Sequence, residues 1–520
     1  MLSGSFRIRS CDLLAAAFCL AATLAAPARA QEPDPRYWRL AQVEAAFAAW
    51  STAYPDLFHA TSLGESGEGA AIPMARVSDN AAVDEAEPAI LFHAAQHANE
   101  CNGTGAVMRQ IATLLAGYGQ DPAITARVDS LAIWFIPVLN PDGHGYAFGG
   151  GASWNEWRKT LRDNNDNGVI DYPDDGVDLN RNWDWFWSQC DDDQPSDPYY
   201  KGPAPWSEAE ARHLRDFVLA ERPVLVVDYH SPATINWASC IFYPWVSTHG
   251  WGQSPDHDIA RALAMGWAAA TRDEANQPYH SIFGYDSLPK EQNWIYGRNG
   301  ILAFEMEISD RCWWTGATVD SIAARVARGS RYVLDRVLAG PGIRGAVTDA
   351  NSGAPLVAEV QIAELHSPEV GPRYTDARFG RFHRLTETGV YTLVVSRRDY
   401  QTETSDVTVV AGRWTTADVA LEPVVTAAGD QARDAGAPWL RAANPVQAGQ
   451  TVRLAVPREM PPAQVELYDL RGRRLAVLGR DLAPARSHVL RLPDRLAGGV
   501  YLLRTRAGGA AQVTRIVCVD

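Results

Sequence analysis

Cysteine, long apolar runs and net positive charge are all scarce in this chain. Seven cysteines stand among 520 residues. Two precede Gln31; the others are Cys101, Cys190, Cys240, Cys312 and Cys518. Their spacing matches neither a zinc ribbon nor a redox pair. Five is an odd number, and disulfide connectivity cannot be read from it. The formal charge of −15 argues against nucleic acid or an anionic membrane as a partner. Only one apolar run is long, and it lies at the start, so no transmembrane segment is expected in the remainder.

That run is "LLAAAFCLAATLAA", Leu13 to Ala26. Arg7 and Arg9 precede it, and "APARA" follows, ending at Ala30. A basic stretch, a short apolar stretch and small residues in that order are a signal peptide. Residues 1–30 are thus expected to be removed and the protein secreted, extracellular or at the cell surface. Arg7, Arg9 and Arg29 against Asp12 make the removed segment +2, leaving −17 on the exported chain.

What remains is too long for one core. Up to residue 338, "AIPMARVS", "PAILFHAAQ", "LAIWFIPVLN", "PVLVVDYHS" and "GILAFEMEIS" read as strands. "GTGAVMRQIATLLAGYG" and "SEAEARHLRDFVLAE" between them read as helices. The alternation predicts an α/β domain over residues 31–340, a mixed twisted sheet with helices on both faces. Composition shifts near Pro341. Residues 341–423 read as a small all-β sandwich with Gly and Asn-Ser-Gly turns. Residues 424–438 are a small, polar linker. Residues 439–520 read as a second all-β sandwich.

The stretch "ILFHAAQHANECNGTG", from Ile90, holds His93, His97 and Glu100. His97 and Glu100 are three apart, so near the start of a helix they could face one centre. Zinc takes histidine nitrogen and carboxylate oxygen, with three protein ligands at a catalytic site. His230 ends the apolar strand "VLVVDYH", where an α/β sheet presents groups to its crevice. His93 sits inside an apolar strand and reads as a core or supporting histidine, not a ligand. His-x-x-Glu alone is a weak signal.

Four downstream segments strengthen it: "NPDGHGY", "WRKTLR", "GVDLNRNWD" and "GYDSLPKEQNWIYGRNGILAFEMEISD". In this order, over residues 36 to 338, they resemble the zinc carboxypeptidases of the carboxypeptidase A type, the M14 peptidases. The resemblance implies one zinc held by His97, Glu100 and His230, with Arg158 polarising the scissile carbonyl. Asn180 and Arg181 would grip the C-terminal carboxylate of a peptide or protein substrate, and Tyr285, eight residues before Asn293, would close on it. Glu307 takes the place of the general base, with Glu305, two residues earlier on the same strand face, as competitor. Gln292 and Glu305 fall where the family sets pocket polarity, which favours a basic or polar terminal residue. Two other readings use the same fold: a cell-wall amidase or N-acyl deacylase, and an inactive peptide-binding protein. "DLNRN" speaks against the first, and a complete residue set against the second.

The first β-module resembles a transthyretin-like or carboxypeptidase-regulatory-like domain. The second, through "NPVQAGQTVRL" and "LAGGVYLLRT", resembles immunoglobulin-like tails that direct secretion or surface attachment; a passive spacer is the alternative. No pro-segment of useful size follows Gln31, so activation by its removal is not expected.

"DNNDNGVIDYPDD", from Asp163, offers oxygen at positions one, three and five (Asp163, Asn165, Asn167) and glycine at six, Gly168. The Val169 carbonyl, Asp171 and Asp174 fall at seven, nine and twelve. This is the spacing of a calcium loop, with Asp in place of the usual final Glu. A solvated acidic turn is the alternative.

Overall fold

The computed structural model describes residues 33–149, 156–231, 239–247, 249, 252–285, 287–424 and most of 440–519. The expected signal peptide, and the expected linker from residue 425 on, fall outside the described residues. The chain divides into two compact units, ending and beginning at Pro423 and Val424.

The first unit is built on an eight-stranded mixed sheet. Its strands are β1 (Phe58–Glu65), β2 (Ala71–Val77), β3 (Ala89–Ala94), β4 (Ala132–Ile136), β5 (Leu225–His230), β6 (Cys240–Val246), β7 (His280–Tyr285) and β8 (Leu302–Glu307). Their spatial order is β1-β2-β4-β3-β5-β8-β6-β7. The central pairs β4–β3, β3–β5 and β5–β8 are parallel. β3, β5 and β8 are buried at every residue, as parallel strands covered on both faces must be. Their apolar runs "AILF", "LVV" and "LAF" satisfy that demand.

The helices are α1 (Leu40–Ala53), α2 (Asn102–Gly117), α3 (Pro122–Val128), α4 (Pro141–Phe148), α5 (Ala209–Glu221), α6 (His257–Ala270), α7 (Glu291–Asn299), α8 (Ala317–Gly329) and α9 (Arg331–Ala339). α2 packs on β3 and α8, α6 on β6 and α9, and α7 on β8. The register of β5 on β8 pairs His230 with Glu307. Charged residues at the C-terminal ends of β3, β5 and β8 therefore gather at one edge of a hydrophobic sheet, where open α/β sheets bind ligands.

A β-sandwich completes this unit, with β9 (Gly342–Asp349), β10 (Glu359–Ile362), β11 (Arg381–Leu385), β12 (Gly389–Ser396), β13 (Glu403–Val409), β14 (Trp414–Thr416) and β15 (Val419–Leu421). One sheet runs β10-β12-β13; the other is β11-β9-β14 with β15 also on β9. Ile343, Val347, Leu393 and Leu421 fill its core. It docks on the α/β domain: Trp414 Nε1 donates to Val337 O at 2.9 Å, and Arg381 pairs with Glu221 at 2.9 Å.

The second unit is β-rich throughout. A three-stranded sheet holds Thr451–Val456 at its centre, and a five-stranded sheet holds Ala463–Asp469 and Gly499–Ala507. Leu454, Val465, Leu467 and Leu503 form its core. Among the described residues, no helix is long and apolar enough to cross a membrane.

Candidate active site

His97 and Glu100 occupy the turn between β3 and α2, just ahead of the helix rather than in its first turn. Ala95 opens that turn with a φ of 52°. The backbone is pinned there: Asn140 N donates to Ala95 O at 3.1 Å, and Ala98 N to Arg158 O at 2.9 Å. The second bond ties the turn to the segment that carries Arg158. His230 is the last residue of β5. All three candidate ligands are buried.

Their donor atoms converge. His97 Nδ1 lies 3.0 Å from His230 Nδ1 and 2.9 Å from Glu100 Oε1. His230 Nδ1 lies 3.0 Å from Glu100 Oε2. Each ring turns its outer nitrogen to a carboxylate: His97 Nε2 to Asp178 Oδ1 at 3.0 Å, and His230 Nε2 to Asp228. An outer N–H bonded to a carboxylate leaves a lone pair on the inner nitrogen, the arrangement by which proteins orient metal-binding histidines. Two lone-pair nitrogens facing each other are otherwise repulsive. A tetrahedral ion with bonds of about 2.05 Å would set such ligand atoms about 3.3 Å apart. The donor set and its spacing fit zinc.

Two carboxylates behind the ligands carry this order. Burial pushes the Asp178 carboxyl upward, but the Arg158 guanidinium and His97 overcome it and hold it well below the usual range. Asp228 also lies 3.3 Å from His93 Nδ1, while His93 Nε2 lies 2.8 Å from Glu291. His93 thus stands one step behind His230, in a supporting place. Asp178 and Asp228 were not singled out in the sequence. Each precedes a marked residue by two, Asn180 and His230, and that is the signal that could have found them.

A model of the zinc carboxypeptidase family matches residues 43–315, more than half of the chain. The chain belongs to the zinc carboxypeptidases. A carboxypeptidase regulatory-like domain matches residues 342–422. A zinc carboxypeptidase of Saccharothrix mutabilis subsp. capreolus is 40% identical over 27% of this chain and 30% of its own length. Carboxypeptidase A4 of Mus musculus is 27% identical over 50% of this chain and 59% of its own. An inactive metallocarboxypeptidase, ECM14 of Ajellomyces capsulatus, is 29% identical over 42% and 36%. The chain thus spans less than two thirds of each of these relatives. Among solved structures, thrombin activatable fibrinolysis inhibitor superposes with a TM-score of 0.50 at 20% identity, over 58% of this chain and 74% of that one, a likeness of fold.

In this zinc carboxypeptidase Arg158 and Asn180 reach the group formed by His97, Glu100 and His230. Arg158 Nη1 donates to Glu100 Oε1 at 3.1 Å, and its Nε and Nη2 to Asp178 Oδ2 at 3.0 Å. Asn180 Nδ2 donates to Glu305 at 3.3 Å. Arg181 is buried, 3.5 Å from Asp192. Arg158 and Arg181 lie 5.2 and 5.1 Å from the same ring, that of Tyr199, another residue sequence reasoning passed over. Tyr285 is 56% exposed at the end of the edge strand β7.

Glu307 and Glu305 differ in surroundings. Glu305 receives both bonds of Lys290 Nζ, at 2.8 and 2.9 Å. Burial opposes its ionisation, yet Lys290 and His230 hold its carboxyl down at about 2. Glu307 is buried with one oxygen, Oε2, lacking a partner. Burial, then repulsion from Glu100, pushes its carboxyl up to about 8. Gln292 Nε2 donates to Phe242 O and Ala303 O, both at 3.2 Å, so its amide nitrogen is committed to the backbone.

The acidic loop folds onto itself. Gly168, at φ 81°, donates to Asp163 Oδ2 at 2.6 Å, and Val169 N donates to Asn167 Oδ1 at 2.7 Å. Asn167 Nδ2 donates to Asp171 at 2.8 Å. Among the described residues, Asp163, Asp171 and Asp174 do not form a group close enough to share an ion as they stand.

Proposed function

We propose that this chain is an active, secreted metallocarboxypeptidase that releases one residue from peptide C-termini. The convergence of His97 Nδ1, His230 Nδ1 and Glu100 beside the buried Glu307 carries the reading. Zinc, when bound, acts as a Lewis acid and brings the pKa of water toward about 7. Beside the positive charge of a bound zinc, which offsets the burial and the Glu100 repulsion that raise its carboxyl, Glu307 ionises, takes the proton of the attacking water and hands it to the leaving amine. Its partnerless oxygen favours it over Glu305, whose oxygens are committed to Lys290 and Asn180. Arg158 stays protonated and faces the developing oxyanion. Arg181 exchanges Asp192 for the substrate carboxylate, a bidentate pairing, with Asn180 beside it. Tyr285 closes from the exposed edge.

The pocket is less suited to a cation than the sequence suggested. Lys290 answers the charge of Glu305, so a polar terminal residue is favoured and a basic one loses its unpaired carboxylate.

Relatives named inactive make an inert protein the second reading; against it, the sequence keeps every residue that the resemblance implies, His97, Glu100, His230, Asn180, Arg181 and Glu307. Turnover on free-acid and C-terminally amidated peptides decides. Cleavage of the acid alone, with zinc retained and kcat lowered by several orders of magnitude in Glu307→Gln, is expected. Equal rates on acid and amide would leave the amidase reading; no turnover of either would leave the inert one.

The loop Asp163–Asp174 is proposed to take calcium, on its spacing and the Gly168 turn. Ligation requires Asp163, Asp171 and Asp174 to come closer together than they stand. Titration of the stripped, zinc-loaded protein with millimolar calcium tests it: no heat and no change in melting temperature would sink the idea.

A further inference from the structure

The seam between the α/β domain and the adjoining β-sandwich encloses a cavity of about 50 Å³. Arg222 follows α5 and Asn299 ends α7; Arg373 and Arg384 reach in from the sandwich. No aspartate or glutamate lines it among the described residues. Arg381, also in the lining, is answered by Glu221 and Asp376, but Arg373 and Arg384 share one carboxylate, Asp256, at 2.8 and 3.0 Å. One carboxylate against two guanidiniums leaves a positive charge over. Arg222 adds another. It lies over the Tyr374 ring at 5.8 Å and donates to Asn299 Oδ1 at 3.4 Å. Among the described residues it has no ion pair.

Two donors at this seam are unanswered. Arg384 Nε and Asn299 Nδ2 are buried without acceptors, on residues only 8% and 6% exposed. A buried donor without an acceptor is rare in native proteins and calls for an explanation. Burial, then the proximity of Arg373, pulls the Arg384 guanidinium down to about 10, the response of a cation short of counter-charge. The space suits a small group. A water site takes about 10–15 Å³, so the cavity has room for a few, comparable to the head of an oxyanion. Planar guanidiniums recognise such heads by paired hydrogen bonds. A neighbouring cavity of about 290 Å³ shares Arg373 and Arg384, leaving room for the body of a larger ligand.

We propose that this seam is an anion-binding site in which Arg222, Arg373, Arg384 and the Asn299 amide take a carboxylate or phosphate group. Asn299 to Leu302 joins α7 to β8, the elements that carry Gln292 and Glu307. An anion there fixes that junction and clamps the two domains together.

The test follows thermal unfolding of the full-length, zinc-loaded protein at constant ionic strength, titrated with inorganic phosphate and separately with acetate. A saturable rise in melting temperature is expected. Its midpoint should weaken at least tenfold in Arg222→Gln, which has no ion pair to lose. Asn299→Asp, of equal shape but negative, should abolish the rise. A response to phosphate alone assigns a phosphate group, to acetate alone a carboxylate, and to both an unselective oxyanion site. No saturable rise with either anion, or a wild-type midpoint in either variant, overturns the proposal.

Discussion

His97 Nδ1 and His230 Nδ1 face each other at 3.0 Å, and each ring's other nitrogen is held by a different aspartate. The two aspartates accept the outer N–H of each ring and so favour the form whose inner nitrogen can bind a metal. Asp228→Ala should therefore leave the ligands in place but free the His230 ring to rotate and tautomerise. Zinc affinity should fall roughly 10–100-fold, the usual effect of losing such a supporting carboxylate. Competition against a chelator measures it. An unchanged affinity would mean that Asp228 serves only the core around His93.

Much of this site was legible because its chemistry is concentrated at strand ends. His230 and Glu307 end apolar runs, and parallel pairing places them side by side. The order of β3, β5 and β8 across the sheet was not legible, because connections, not local patterns, set it. Lys290 was missed for a related reason. It lies fifteen residues before Glu305 in sequence, and only the turn from α7 into β8 brings the two together. Tyr199 lies in a polar stretch with no periodicity, so nothing in the sequence marked its ring as one that two arginines approach.

The Lys290–Glu305 pair makes a specificity prediction. Lys290→Met keeps the length and removes the charge, leaving Glu305 buried and unpaired. A C-terminal Lys or Arg on the substrate would then supply the missing cation. Release of basic residues should rise relative to polar ones by tenfold or more in kcat/KM, an order that about 1.4 kcal/mol provides. A panel of peptides differing only in the last residue reads it out. An unaltered profile would place the pair outside the side-chain pocket.

Asp256 predicts an acid limit to domain docking. It is buried between Arg373 and Arg384. Burial opposes its ionisation, but the two arginines hold its carboxyl at about 2, below its ordinary 3.8. A depressed carboxyl adds stability that is present above 3.8 and lost as pH falls through about 2. Asp256→Asn should destabilise the chain by about 3 kcal/mol at neutral pH, the cost of leaving buried cations unpaired. Its stability should also lack the acid limb of the wild type between pH 4 and 2. Denaturant unfolding at several pH values would show both; parallel curves for the two proteins would refute the assignment.

Glu210 predicts the opposite slope. It sits on α5, 1% exposed, with Oε2 lacking any partner. Burial, reinforced by Glu208 and Asp142, pushes its carboxyl from 4.5 up to about 7. Between these values the unfolded chain has released the proton and the folded one still holds it. Stability from this group is complete below 4.5 and lost as pH rises through about 7. Replacing it with glutamine keeps the shape and removes the titration. Relative to wild type, Glu210→Gln should gain up to roughly 3 kcal/mol between pH 4 and 8, since a tenfold change in a proton's affinity is worth about 1.4 kcal/mol. The gain must appear as a change of slope, because a packing effect would displace the curve equally at every pH. A constant offset across that range would show that Glu210 is ionised in the fold and that an unseen partner meets its charge.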